Sequence, residues 1–267
     1  MLAIPFPAWL DPVALEVGPL VIRWYALAYI AGFVIGWRYC LRLTEYGPAR
    51  PNREDFDDFL TWAIVGTILG GRLGYVLFYN FPYYIDRPLE ALRVWEGGMA
   101  FHGGILGVTV AMLIFARRRD FSPFALADVV AAAAPIGLFL GRLANFVNGE
   151  LWGRTTDLPW GVIFPTGGPE PRHPSQLYEA VLEGLVLFAV LFVLARRRSI
   201  RARPGQVAGA FLIGYGVARF LVEFVREPDP QLGLLVAGLS MGQLLSVPMI
   251  VLGLVLVAWA RRRPAAA

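Results

Sequence analysis

Seven stretches of this chain are dominated by apolar residues over about twenty positions each, the length a helix needs to cross a hydrocarbon core of ~30 Å. They run roughly over Leu20–Leu41, Phe56–Phe78, Gly98–Ala116, Ala127–Val147, Gln176–Ala195, Gly205–Val225 and Met241–Ala260. The pattern predicts an all-α polytopic membrane bundle, one integral membrane domain over residues 1–267. Pro5, Pro7 and Pro12 interrupt the segment before the first span, and no basic residue precedes Arg23. Residues 1–19 therefore read as an interfacial piece, with Trp9 at headgroup depth, and not as a cleavable leader. Within the spans, glycines recur four residues apart: Gly32 and Gly36, Gly66, Gly70 and Gly74, Gly103 and Gly107, Gly137 and Gly141. That spacing puts them on one helix face, where backbones can approach closely.

The loops set the expected orientation. Arg38, Arg42, Arg50 and Arg53, then Arg117–Arg119, then Arg196–Arg198, Arg201 and Arg203, then Arg261–Arg263 make up fifteen of the 24 basic residues. All four groups fall on one side of a seven-helix arrangement. By the positive-inside rule that side is cytoplasmic, which puts the N-terminus outside and the C-terminus in the cytoplasm. Composition agrees with a lipid environment: 57% of residues are hydrophobic and 16% charged, against about 45–50% and about 25% in soluble domains. The net charge of +4 sits in these loops rather than on a basic face with interleaved aromatics, so nucleic-acid binding is not expected. A single cysteine, Cys40, excludes an internal disulfide, and its place at the cytoplasmic end of the first span argues against a nucleophile.

The polar residues inside the spans carry the chemistry. Arg72, Arg142 and Arg219 lie in the outer halves of the second, fourth and sixth spans. At 1.5 Å per residue they share a depth with Tyr25 and His102, at the outer ends of the first and third. A central arginine costs about 2.5–3.5 kcal/mol to insert, so three near one depth need partners or a purpose. Candidate acids are few: Glu150, Glu179, Glu183, and Glu223 one turn beyond Arg219. Asn145, Asn148 and Glu150 make the exit of the fourth span more polar than packing requires. A guanidinium stays charged and grips phosphate in a fork, so arginines at headgroup depth point to a phospholipid phosphate. His102 stands beside Gly103 and Gly104, which leave it room. His173 lies in a loop. Neither histidine has companions spaced as metal ligands, so no metal or cofactor is expected. No serine stands in a G-x-S-x-G context, so the nucleophile of any reaction is expected to come with the substrate.

The run Gly141-Arg142-Leu143-Ala144-Asn145-Phe146-Val147-Asn148-Gly149-Glu150, followed by Gly153-Arg154, resembles the signature of bacterial prolipoprotein diacylglyceryl transferases. Four other segments resemble that family in order. They are Gly70–Tyr75, Gly97–Gly104, Arg172–Glu179, and Tyr215–Phe220 with Glu223 and Arg226. Ala100 stands where the family commonly has serine, and Ala144 where it has glycine; both exchanges are small for small. The resemblance implies transfer of a diacylglyceryl group from phosphatidylglycerol to the lipobox cysteine of a prolipoprotein, giving a thioether and glycerol phosphate. It implies a bacterial cytoplasmic membrane protein whose site faces the outer leaflet. Its partners are then phosphatidylglycerol, prolipoprotein signal peptides and membrane lipids.

On that reading His102, Arg142 and Arg219 are the expected catalytic residues. The two arginines hold the departing phosphate. His102 takes the thiol proton, or only positions lipid if the arginine field alone supplies the thiolate. Tyr25, Arg72, Asn145, Asn148, Glu150, Gly153, Arg154, Tyr215 and Glu223 are the expected substrate-binding residues, with Arg72 a candidate for a structural role. Residues 150–175 form an extracytoplasmic loop over the site. An anion transporter or channel and a non-catalytic lipid-binding scaffold are the alternatives left by the residues alone.

Overall fold

A computed structural model describes residues 3–46, 50–228, 235 and 238–264. The helices are α1 (Trp24–Tyr46), α2 (Arg53–Phe78), the short α3 (Phe81–Asp86), α4 (Phe101–Arg118), α5 (Pro123–Val147), α6 (Ser175–Arg196), α7 (Gln206–Val222) and α8 (Met241–Arg262). Six of them are long and apolar enough to cross a membrane, and α7, at 17 residues, is a shorter apolar helix. The chain is a multi-pass membrane protein, and each helix of 17 residues or more lies on one of the seven spans expected from the sequence. Two boundaries differ for a physical reason. Leu20–Arg23 belongs to a hairpin, β3 pairing antiparallel with β2 (Val13–Val17), so α1 starts only at Trp24. At the end of α7, Arg226 bridges to the backbone of Gly153, which takes residues 223–226 out of the helix.

The chain forms two compact units, residues 43–127 and residues 1–42 with 128–267. In the first, α2 and α4 pack through glycine. A Cβ on Gly70 would lie 2.3 Å from the Gly103 carbonyl oxygen, and one on Gly107 would lie 2.0 Å from that of Gly66. Backbones this close leave no room for any side chain, which is what the four-residue spacing anticipates. Asn52 and Asp55 form a reciprocal capping box at the start of α2. At the other end of α2, Arg72 is buried. It donates to the carbonyls of Ala91 (2.8 Å), Gly97 (2.6 Å), Gly98 (3.2 Å) and Glu90 (2.7 Å). It thereby clamps the segment that leads into α4.

In the second unit, α7 and α8 meet at Gly209, Gly216 and Gly253; a Cβ on Gly209 would lie 2.9 Å from the Gly253 carbonyl oxygen. Gly32 of α1 approaches Gly137 of α5, whereas Gly141 has open space where a Cβ would stand, so helix packing does not account for Gly141. Asp128 on α5 caps α7 from outside, accepting from the backbone N–H groups of Gly205 (2.8 Å) and Ala208 (2.7 Å). The middle of α6 is π-helical over Ala180–Val186, an irregularity frequent at functional sites. Strand β1 (Ile4–Pro5) pairs parallel with β4 (Val162–Ile163). Phe6, Phe146 and Phe164 cluster with ring centroids 5.6–5.8 Å apart, so the N-terminal segment is tied to the end of α5 and to the loop after it. Cys40 is buried, its Sγ 3.6 Å from the Val129 carbonyl oxygen.

Candidate active site

The ends of α5, α6 and α7 bring three arginines against three carboxylates. Glu179 on α6 is fully buried and is the hub. Its Oε1 accepts from Arg219 Nη1 (2.7 Å) and Arg226 Nη1 (2.9 Å), and its Oε2 lies 2.8 Å from Arg142 Nε. Glu223 pairs with Arg219 Nη2 at 2.6 Å and with Arg226 Nε at 3.7 Å. Its other oxygen accepts from the Ser240 hydroxyl. Glu183, one turn beyond Glu179, is 3.5 Å from Arg142 Nη2 and 4.0 Å from Arg219 Nη1. The arginine side chains retain 17%, 17% and 11% exposure at positions 142, 219 and 226, while Glu179 and Glu183 retain none. The carboxylates are thus the buried scaffold, and Arg142 and Arg219 are the more accessible members. Removing one partner of such a buried set typically costs about 3–5 kcal/mol, because the remaining charges lose their counterions.

A second polar group joins this cluster at the end of α5. Both Asn145 Nδ2 (2.8 Å) and Asn148 Nδ2 (3.2 Å) donate to Glu150 Oε1, and the buried Gln176 donates to the Glu150 carbonyl. The chain reverses here through Gly149 and Leu151, both with left-handed backbone (φ +65° and +59°). Tyr25 stands within electrostatic reach of Arg142 and Glu150, and Tyr215 within reach of Arg142, Arg219, Glu179 and Glu183. The unit therefore gathers Tyr25, Arg142, Asn145, Asn148, Glu150, Tyr215, Arg219 and Glu223 from the expected set.

Gly153 and Arg154 lie in the loop and join it to the chain on either side. Gly153 N donates to the His173 carbonyl and Arg154 N to the Val225 carbonyl, each at 2.9 Å, and Arg154 Nε reaches the Arg226 carbonyl at 3.0 Å. Arg172 lies over the Trp152 ring at 3.9 Å and contacts Glu227 at 3.1 Å. Burial holds the His173 imidazole below the ordinary histidine range, and its Nδ1 lies 3.3 Å from the Tyr178 hydroxyl. A Cβ on Gly153 would meet the Val225 carbonyl oxygen at 2.4 Å. Gly153→Ala should therefore displace residues 150–175 from Arg226, with a loss of activity on the order of 10²-fold, since a 1 Å misplacement can cost that much. Initial rates beside a melting curve in detergent would separate this from general unfolding.

His102 and Arg72 belong to the other unit. His102 is exposed at the first turn of α4, edge-on to Phe101 with ring centroids 5.7 Å apart. It lines one end of an apolar groove of about 890 Å³ along α2 and α4, walled by Trp62, Leu69, Leu73, Leu77 and Leu106 and floored by the packed glycines. Arg72 spends its donors on four backbone carbonyls and lies over the Tyr84 ring at 5.2 Å.

Sequence reasoning ranked Glu179 and Glu183 only as possible counterions, although their four-residue spacing on an otherwise apolar helix marks one face. Arg226 stands within a matching motif but past the end of the sixth apolar run, so the pattern alone gives it no place among the residues inside the spans. Nothing in the sequence pattern marked Ser240.

A family model described as prolipoprotein diacylglyceryl transferase matches residues 12–259. The phosphatidylglycerol–prolipoprotein diacylglyceryl transferase of Azospirillum brasilense is 63% identical to this chain over 268 residues, covering 100% of both proteins. The protein of the same name from Rhodospirillum centenum is 63% identical over 95% of this chain and 92% of its own length. That from Paramagnetospirillum magneticum is 57% identical over 99% and 98%.

Proposed function

The chain belongs to the prolipoprotein diacylglyceryl transferase family, and from that membership we propose how it moves a diacylglyceryl group from phosphatidylglycerol to a prolipoprotein. The acceptor is the thiol of a lipobox cysteine in the signal peptide. Its thiolate attacks the glycerol carbon that bears the phosphate. A sulfur–carbon bond forms, the carbon–oxygen bond breaks, and the electron pair leaves with glycerol phosphate. The thiol proton passes to a base.

The observation that carries this reading is the cluster of Arg142, Arg219 and Arg226 on Glu179, Glu183 and Glu223. Negative charge grows on the leaving phosphate, and fixed cations whose geometry is set beforehand stabilise it without reorganisation. Arg142 and Arg219 hold the phosphate. Asn145, Asn148 and Glu150 orient Arg142 and the headgroup, and Tyr25 and Tyr215 donate to glycerol or phosphate oxygens. The groove along α2 and α4 has the apolar character an acyl chain requires. His102 takes the thiol proton. The protein lies in the bacterial cytoplasmic membrane, N-terminus outside, with the site toward the outer leaflet.

Incubation of the purified protein with phosphatidylglycerol vesicles and a lipobox peptide tests the reading. The expected result is a mass gain of one diacylglyceryl group on the peptide cysteine and none on a Cys→Ser peptide. Anion flux without that gain would instead mean a transporter. His102→Gln should remove the acidic limb of the pH–rate profile; an unchanged profile with a lower rate would leave His102 only a positioning role.

A further inference from the structure

Glu179 and Glu183 occupy the same face of α6 and are equally buried, yet their surroundings differ. Three arginines lie within 2.9 Å of the Glu179 oxygens. Both Glu183 oxygens are buried with no hydrogen-bond donor among the described residues, and its nearest cations stand at 3.5 and 4.0 Å. A buried carboxylate without donors is among the costliest arrangements in a protein, and protonation relieves it. The groups that face Glu183 are Arg142 from α5, Glu179 from its own helix, and Tyr215 and Arg219 from α7, with Glu223 and Arg226 completing the cluster.

Charge counting then separates two states. With Glu183 ionised, the guanidinium groups of Arg142, Arg219 and Arg226 meet the three carboxylates paired with them and this set is neutral, while Glu150, held by Asn145 and Asn148, adds no positive charge. A phosphodiester anion entering it would meet no net positive charge. With Glu183 as a carboxylic acid, the cluster carries one positive charge, matching one phosphodiester. We propose that Glu183 rests protonated and that this proton gives the cluster the net charge that receives the lipid phosphate. The inference rests on the phosphate-holding role assigned to Arg142 and Arg219.

Infrared difference spectroscopy on the full protein in detergent reads the proton without substrate. A protonated buried acid shows a carbonyl stretch distinct from that of carboxylates. Glu183→Gln should remove that band, and Glu183→Asp should shift it. Glu179→Gln should leave it in place. A band unchanged by both Glu183 variants would overturn the proposal. The KM for phosphatidylglycerol reads the link to phosphate. It should rise about tenfold or more with alkaline pH in the wild type, as the acid ionises, and this rise should be absent in Glu183→Gln. The same rise in both proteins would overturn the charge-setting role. A band lost in Glu183→Gln with a wild-type KM indifferent to pH would keep the proton and overturn its connection to phosphate.

Discussion

Arg142→Lys should lower the rate of diacylglyceryl transfer by about 10²–10³-fold, the range found when one preorganised donor to a developing oxyanion is lost. The wild-type guanidinium divides its work. Nε is held by Glu179 at 2.8 Å and Nη2 faces Glu183 at 3.5 Å, while the side chain keeps 17% exposure. One edge is thus anchored by carboxylates and part of the side chain stays accessible. A lysine carries the same charge as a single point and cannot be anchored and bidentate at once. Because only the transition state carries the extra phosphate charge, the loss should fall mainly on kcat rather than KM. Steady-state kinetics with phosphatidylglycerol vesicles and a lipobox peptide would measure it. Near-wild-type kcat in the lysine variant would remove the fork from the mechanism and leave Arg142 a simple counterion to Glu179.

Gly70→Ala should destabilise the α2–α4 pair by about 3 kcal/mol or more, at the upper end of what overpacking costs. The added Cβ would stand 2.3 Å from the Gly103 carbonyl oxygen, 2.6 Å from Gly107 Cα and 2.9 Å from Gly107 N. All three are backbone atoms, so no side chain can swing aside and the helices must separate. Gly141→Ala is the matched control, because nothing lies within 4 Å of its Cβ position. Alanine is the better helix former by about 1 kcal/mol, so that variant should melt no lower than wild type. Thermal unfolding of the two proteins in the same detergent decides the matter. Equal melting temperatures would mean that α2 and α4 do not meet through these glycines.

The spans were legible in the sequence because membrane insertion demands long apolar runs: those that end at Phe78 and Val147 end with α2 and α5, and the one that begins at Leu20 overlaps α1 from Trp24 to Leu41. The glycine contacts of α2 and α4 were legible for a related reason: small residues at four-residue spacing have one face and one use. Gly141 shows where that rule stops, since the same spacing there leaves open space. Half of the charge cluster could also be read. Arg219 and Glu223 share a helix turn, and their 2.6 Å contact follows from spacing alone. The hub could not. Glu179 meets Arg142, Arg219 and Arg226 from three separate segments, and no local periodicity encodes which acid each arginine finds. Gly153 and Arg154 could be picked out in a motif, but their work as a backbone seam against Val225, Arg226 and His173 depends on where the chain returns. Arg72 is the reverse case. Its place in the second span marked it as an expensive charge, and four carbonyls from the following segment settle that cost locally.

Whether the arginine–carboxylate cluster of α5, α6 and α7 holds the lipid phosphate is decided by an experimental structure of the protein with phosphatidylglycerol bound. Phosphate oxygens should lie within hydrogen-bond reach of Arg142 and Arg219, with Glu179 still bridging both guanidinium groups. A phosphate seated away from both arginines would contradict this.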